Sequence, residues 1–220
     1  MASATPQMNG LFVSALADRL QGSKPGLEAQ LRMCPDPRPG TQPVERVEHA
    51  CAKAGVLALL YPHEDRLHLV LTLRTNHVEN HQGQISFPGG KQEPGESLEE
   101  AALRETQEEL GISAESVRLL GSLTPLFIPV SRFCIYPIVA VSGTRPDFHP
   151  SADEVDEVIE IPLDHLLDSQ NTLRENWVVQ GRELDVPFYS YREHKIWGAT
   201  AMIMAELMAL IDTKQTFPHR

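Results

Sequence analysis

Apolar positions recur with a helical period in three stretches of the chain. Residues 11–20 carry apolar side chains at 12, 13, 16, 17 and 20, which predicts a short amphipathic helix. Residues 97–110 give the clearest helix prediction, and residues 200–211 predict a closing amphipathic helix. A single helical turn is predicted over 164–167. Helices are therefore expected at both ends of the chain and in its middle.

Short apolar and β-branched runs between these helices predict strands. Two runs, 54–62 and 67–74, flank a polar turn at 63–65 and are interpreted as a strand pair. Further strands are predicted over 84–87, 117–126, 133–141 and 155–161. Several strands are adjacent in sequence and helices are interspersed. This order predicts an α/β fold in which helices cover a mixed sheet, not a doubly wound parallel sheet.

The length indicates one domain with extensions. A chain of 220 residues is longer than one minimal domain and short for two. Prolines 35, 37, 39 and 43 break any helical pattern after the first helix. We expect residues 1–45 to form an N-terminal helix and Pro-rich extension, residues 46–212 the main domain, and residues 213–220 a C-terminal tail.

Composition and charge exclude several classes of protein. The chain is 41% hydrophobic, which rules out wholesale disorder, and its net charge of −11 argues against a nucleic-acid partner. Its apolar stretches are too short to cross a bilayer, so no membrane association is expected. The three cysteines, Cys34, Cys51 and Cys134, are widely spaced and predict neither a disulfide framework nor a metal site. With no targeting pattern, these features favour the cytoplasm.

The predicted helix over 97–110 carries the candidate chemistry. Ser97 and Glu100 form a capping-box pattern, and Gly111 follows where a left-handed C-terminal cap belongs. Glu105, Glu108 and Glu109 share one helix face because they stand three and four residues apart. Clustered carboxylates repel one another unless cations lie among them, and oxygen ligands favour Mg²⁺ or Mn²⁺. The alternative is a solvated acidic helix, which is the commoner meaning of Glu-rich helices.

The spacing around this helix resembles the Nudix box. The pattern is Gly, five residues, Glu, seven residues, Arg-Glu, two residues, Glu-Glu, one residue and Gly. It is met by Gly90, Glu96, Arg104, Glu105, Glu108, Glu109 and Gly111. One position departs, because Thr106 stands where the family usually has an aliphatic residue. The resemblance implies a Nudix-type α/β/α sandwich that hydrolyses nucleoside diphosphates linked to another moiety, with Mg²⁺ or Mn²⁺ as cofactor.

The same resemblance assigns roles within the box. Glu105 and Glu109 look like the principal metal ligands, and the Gly89 carbonyl like a backbone ligand. Glu108 looks like a further ligand or a water-mediated contact. An orienting role is implied for two neighbours of these ligands, Arg104 and Glu96.

The residues before the box resemble the coenzyme A pyrophosphatase branch of this family. Its pattern is Leu-Leu-Thr-x-Arg-Ser, then Arg, Gly and Phe-Pro-Gly-Gly. The positions in register are Thr72, Arg74, Gly83 and Phe87 to Gly90. Thr75 replaces Ser or Ala, and Glu79 replaces the arginine. Residues 153–163 and 196–201 also resemble this branch.

Several other residues are candidates for binding the substrate. Arg74 ends a strand and can present a bidentate fork to an anion, or form a surface salt bridge instead. His81, like His77, can contact phosphate or face solvent. Gly90 allows close approach of the backbone to phosphate, and Lys91 follows it directly.

The general base has more than one candidate. Glu108 is the first choice for taking a proton from the attacking water, and Glu154 and Glu157 are alternatives from a distant loop. Trp197 and the methionines of the last helix are assigned to the core or to a homodimer contact.

These observations predict a divalent-metal-dependent hydrolase for a small nucleotide substrate. Its expected reaction splits coenzyme A or its thioesters into 3′,5′-ADP and 4′-(acyl)phosphopantetheine. Glu79 keeps open the same reaction on NADH, ADP-ribose or an oxidised dNTP. A Nudix-fold module that senses a nucleotide without cleaving it is the alternative from another class.

Overall fold

Two long buried strands form the centre of the main sheet. The computed structural model describes residues 10–37, 40, 43–75, 84–179 and 181–212. The sheet comprises β1 (Ala52–His63), β2 (Arg66–Arg74), β3 (Ile85–Ser86), β4 (Gly89–Lys91), β5 (Arg118–Ser122), β6 (Leu126–Ile128), β7 (Phe133–Val141) and β8 (Val155–Pro162). The strands β1 and β7 read as continuous apolar runs because helices cover both faces of the sheet.

The pairing of these strands is mixed, as expected. The path through the sheet is β3-β2-β1-β7-β5, with β4 added on β1, β6 on β7 and β8 on β2. The pair β1 and β7 is parallel, and the other pairs are antiparallel. Their parallel register brings Ala52 opposite Phe133, although the two residues are far apart in sequence.

Helices cover the two faces of this sheet. They are α1 (Gly10–Gln21), α2 (Gly26–Leu31), α3 (Leu98–Leu110), α4 (Leu163–Leu167) and α5 (Gly198–Ile211). One apolar cluster joins α3 to Leu57, Leu59 and Val70, and the other joins α1 and α5 to Ala58, Leu60 and others. The α/β/α sandwich is therefore confirmed. Among the described residues, no helix has the length and apolarity that a bilayer crossing requires.

A second sheet was not predicted. It consists of β9 (Thr172–Val179), β10 (Arg182–Tyr191) and β11 (His194–Trp197), all antiparallel, in the order β11-β10-β9. Its polar outer strand, β9, lacks the apolar alternation on which strand predictions rest. Tyr189 and Ile196, which pair in register, join the large apolar cluster under α1 and α5.

Other predicted elements differ at their boundaries. The single strand expected over 117–126 is two strands, β5 and β6, because Pro125 cannot donate to the sheet. The strand expected over 84–87 is the shorter β3, and the Gly89–Lys91 segment that follows pairs with β1 as β4. The helix α2 was not predicted. It begins at Gly26 and packs on α5.

The cysteine prediction was wrong. Cys51 and Cys134 form a disulfide with a Cα–Cα distance of 5.7 Å, and Cys34 is buried. The two residues are 83 positions apart in sequence, so their spacing gave no signal. They meet because β1 and β7 are parallel neighbours. The pairing also removes the cysteine argument for a reducing compartment.

Candidate active site

The helix α3 begins and ends where its caps predict. The Ser97 side chain accepts a hydrogen bond from the Glu100 amide at 3.1 Å, and the Glu100 carboxylate accepts one from the Ser97 amide at 2.7 Å. At the other end, Gly111 has a φ of 72°, a left-handed conformation that suits glycine. The three carboxylates of interest therefore lie in the last two turns of a helix whose ends are well defined.

Glycines allow α3 to approach the sheet very closely. A Cβ atom at Gly55 of β1 would overlap the Leu98 carbonyl oxygen at the start of α3. A Cβ atom at Gly90 would overlap the Glu105 carboxylate. Gly89 has a φ of 144°, which also favours glycine. The backbone of Gly89 and Gly90 consequently lies directly against the carboxylates of α3.

Glu109 is the most buried of these carboxylates, with 1% of the residue exposed. Its two oxygens accept hydrogen bonds from the Gly89 amide at 3.1 Å and from Arg74 Nη1 at 3.0 Å. Burial raises the pKa of Glu109 to about 7, although both of these donors act in the opposite direction. A cation bound beside this carboxylate would favour its charged form.

Arg104 connects the remaining acidic residues of the box. Its guanidinium donates two hydrogen bonds to Glu96, at 2.9 and 3.1 Å, one to Glu105 at 2.9 Å and one to Glu108 at 3.2 Å. These contacts lower the pKa of Glu96, whereas burial raises the pKa of Glu105. Arg104 therefore links Glu96 to Glu105 and Glu108 by hydrogen bonds.

The donor set fits a hard divalent cation. Glu105 and Glu109 share one side of α3, and Glu108 is more exposed and shares Arg104 with Glu105. The guanidiniums of Arg74 and Arg104 do not balance the negative charge of these three carboxylates, since Arg104 also pairs with Glu96. Burial is the main cause of the raised pKa values of Glu105 and Glu109, and the neighbouring carboxylates add to the rise. Carboxylate oxygens are typical ligands of Mg²⁺ and Mn²⁺.

The two loop carboxylates are placed differently. The backbone of Glu154 lies near the end of α3, because its amide donates to the Ser151 carbonyl and the Ser151 amide donates to the Glu109 carbonyl. The charge of Glu154 adds to the rise in the pKa of Glu105 and Glu109. Glu157 pairs in register with Leu73, a residue that packs in the α5 cluster on the other face of the sheet.

Glu157 contacts His194, at 3.2 Å between His194 Nε2 and a carboxylate oxygen. With Glu193 these two residues form a group whose ligand atoms all lie within 4.8 Å of one another. This group is not the carboxylate cluster of α3, so the structure does not bring Glu157 to the Nudix box.

The structure describes Arg74, Gly90 and Lys91 among the residues predicted to bind the substrate. Lys91 lines an open cleft of about 530 Å³ together with Gln92, Glu93, Pro94 and Glu105. Arg74 is paired with Glu109 and 24% of its side chain is exposed. The predictions for His77, Glu79 and His81 lie outside the described residues.

Sequence reasoning missed a contact between Thr75 and the segment before β8. The Thr75 hydroxyl donates to the Asp153 carbonyl at 2.9 Å. The only sequence signal was the departure of Thr75 from the branch pattern, which does not point to residues so distant in sequence.

Comparison with known proteins places this geometry in a family. The NUDIX domain family matches residues 52–180. The human mitochondrial coenzyme A diphosphatase NUDT8 is 34% identical over 165 residues, which cover 73% of this chain and 66% of the human protein. The Nudix hydrolase NudL of Pectobacterium atrosepticum is 35% identical over 173 residues, or 78% of this chain and 89% of that protein.

A solved structure supports the fold. The crystal structure of RenU, a Nudix hydrolase from M. smegmatis, matches with a TM-score of 0.52 over 77% of this chain and 90% of that chain, at 16% identity. The family match covers more than half of the chain and includes both the glycine pair and the α3 carboxylates. The resemblance inferred from the box is thereby confirmed, and this protein belongs to the Nudix hydrolase family.

Proposed function

We propose that this Nudix hydrolase splits the diphosphate of coenzyme A or its thioesters, giving 3′,5′-ADP and 4′-(acyl)phosphopantetheine. The observation that carries the proposal is the carboxylate cluster of α3 packed against Gly89 and Gly90. The branch-like residues around Arg74 and the similarity to a coenzyme A diphosphatase support the choice of substrate.

The proposed cofactor is Mg²⁺ or Mn²⁺. Glu105 and Glu109 would hold the ion, with Glu108 and the Gly89 carbonyl as further ligands. When bound, the ion supplies charge neutralisation for the diphosphate and activation of a water molecule. Arg104 keeps Glu105 oriented through the hydrogen bonds described above.

The remaining site residues would bind and orient the diphosphate. Gly90 lets the backbone approach a phosphate without steric hindrance. Lys91 lies at the cleft beside Glu105, and Arg74 reaches the same cluster from the end of β2. His81 completes the proposed set. Positive charge placed next to a diphosphate stabilises the charge that develops during phosphoryl transfer.

Glu108 stays the first choice for accepting the proton of the attacking water. Among the box carboxylates it is the one with the most exposed side chain, at 54%. Glu154 is the alternative whose backbone lies near the end of α3. Glu157 is the candidate that the fold separates from them.

A substrate panel tests the proposal directly. Purified protein would be incubated with Mg²⁺ or Mn²⁺ and, in separate reactions, with CoA, acetyl-CoA, NADH, ADP-ribose and 8-oxo-dGTP. We expect release of 3′,5′-ADP from CoA well ahead of turnover on the others. Turnover of another nucleotide alone would contradict the proposed substrate and would leave the proposed metal site unaffected. Binding without turnover of any compound would instead support a sensing module.

The metal site is tested by substitution. Glu105→Gln and Glu109→Gln should each lower kcat by about 100-fold, because each removes a charged ligand. Glu99→Gln changes an exposed glutamate of the same helix and should leave kcat unchanged. Equal rates for all three variants and the parent protein would contradict the proposed ligands.

The compartment and assembly are also proposals. We propose a cytoplasmic homodimer, to be checked by cell fractionation and by light scattering on the purified protein. A membrane or organelle fraction, or a monomer mass, would contradict the respective part.

A further inference from the structure

Thr75 lies at the end of β2 and is 5% exposed. Its hydroxyl donates to the Asp153 carbonyl at 2.9 Å, and its amide donates to the Glu154 carbonyl at 3.1 Å. The hydroxyl and the amide of Thr75 are thus both hydrogen-bonded to carbonyls of two consecutive residues in the segment that precedes β8. A hydroxyl that is buried and already donating to a backbone carbonyl is not available to bind a substrate.

The same segment is attached to α3 at its other end. The His149 amide donates to the Leu110 carbonyl and the Ser151 amide to the Glu109 carbonyl, both at 2.9 Å. The Glu154 amide then donates back to Ser151 at 3.1 Å, which forms a tight turn. Residues 149–155 therefore bridge the end of α3, where the carboxylates lie, and the end of β2.

A register irregularity makes this bridge possible. The pairing of β2 with β8 shifts between Leu73 and Arg74, so that Arg74 lies opposite Val155. β-Bulges of this kind are common next to active sites, where they redirect a side chain. Beyond the shift, the Arg74 side chain contacts Glu109 and the next residue, Thr75, holds the backbone that carries Glu154. Two adjacent residues of β2 thus contact two different parts of the site.

We propose that Thr75 is a positioning residue, whose hydroxyl holds the 149–155 segment against the end of α3 and so places Glu154, the alternative proton acceptor to Glu108, for the reaction. The inference rests on the proposed hydrolase function and deepens it. A threonine-to-serine change keeps the hydroxyl, and a threonine-to-valine change removes it at nearly constant volume. The pair of substitutions therefore separates hydrogen bonding from packing.

The experiment measures kcat, KM and thermal unfolding of four variants on the substrate that the panel identifies. Thr75→Val should lower kcat about tenfold with KM within about twofold, because small displacements of a reacting group are costly. Thr75→Ser should retain kcat within about threefold, since it keeps the donor. Glu154→Gln should lower kcat by about 100-fold. The double variant Thr75→Val/Glu154→Gln should be no slower than Glu154→Gln alone, because Thr75 acts through Glu154.

Tyr191→Phe is the matched control. It removes a hydroxyl that donates to the Glu160 carbonyl, also at 2.9 Å, towards the other end of β8. The melting temperatures of Tyr191→Phe and Thr75→Val should fall by similar small amounts, and only Thr75→Val should lose kcat.

The results that overturn the inference are distinct from those that overturn the function. A parent protein without phosphoanhydride hydrolysis would remove the proposed function itself. An active parent with Thr75→Val at full kcat, Glu154→Gln at full kcat, or a tenfold further loss in the double variant would refute the role of Thr75. Equal kcat losses in Thr75→Val and Tyr191→Phe would show a structural effect only.

Discussion

At the scale of single residues, Arg104 holds several acidic side chains of the box together. Its planar guanidinium contacts Glu96, Glu105 and Glu108 at the same time, together with the Lys91 carbonyl at 3.2 Å. Burial raises the pKa of Glu105, and the hydrogen bond and charge of Arg104 act against that rise. A fixed fork of five donors can satisfy several acceptors at defined angles, which an ammonium group cannot do.

We expect Arg104→Lys to lower kcat/KM by about tenfold, because lysine keeps the charge and loses the multiple contacts. The measurement is steady-state kinetics together with Mn²⁺ titration. Arg66→Lys is the control, since Arg66 forms a comparable fork with Asp164 at an exposed position, with hydrogen bonds of 2.6 to 3.1 Å. Equal kinetics and Mn²⁺ affinity in both variants would contradict the orienting role.

At the scale of elements, the contact between α3 and β1 decides how near the carboxylates come to the sheet. Gly55 lies where the first turn of α3 crosses β1, and the helix backbone occupies the space of a side chain there. Leu57 and Ala102 continue the contact in the apolar cluster under α3. The tight crossing therefore positions the whole helix, including its last two turns.

Gly55→Ala should destabilise the protein by about 1–3 kcal/mol, because the added methyl group would overlap backbone atoms that cannot move independently. Metal-dependent activity should fall with it, since α3 must shift away from Gly89 and Gly90. Gly143→Ala is the control, as no atom lies within 4 Å of its added Cβ. Chemical denaturation and kinetics of both variants provide the measurement, and a Gly55→Ala protein as stable as Gly143→Ala would show that the crossing can relax.

At the scale of the whole molecule, a buried glutamate joins the N-terminal segment to the main domain. Glu206 of α5 is fully buried and accepts hydrogen bonds from the Gly26 amide, from Gln30 at 2.8 Å and from the Thr124 amide and hydroxyl. The apolar side of α1 adds Val13, Leu16 and Leu20 to the same core. The described part of the N-terminal extension is consequently packed as part of the domain.

Glu206→Gln should lower the free energy of unfolding by about 2–4 kcal/mol, because its amide group would face donors that need an acceptor. The N-terminal segment should also become more sensitive to protease before the rest of the chain unfolds. The exposed Glu183→Gln variant should change neither quantity. Denaturation curves and timed proteolysis check both, and unchanged cleavage near α2 would contradict the anchoring role.

Local patterns allowed the part of the site on α3 to be predicted from sequence. The caps at Ser97 and Gly111 and the shared face of Glu105, Glu108 and Glu109 follow from helix geometry, in which residues three and four apart are neighbours. The central strands were predicted for a similar reason, since continuous apolar runs indicate burial on both faces. The outer strand of the second sheet, β9, escaped prediction because most of its residues are polar.

The sequence by itself thus determined the acidic helix, its ends, the glycine pair before it and the mixed α/β architecture. Only the tertiary structure decided the long-range contacts: the Arg74–Glu109 ion pair, the Cys51–Cys134 disulfide and the separation of Glu154 from Glu157. The physical reason is strand register, because a shift of one residue moves a side chain to the other face of a sheet. Helix contacts repeat within a few residues, whereas register depends on the whole fold.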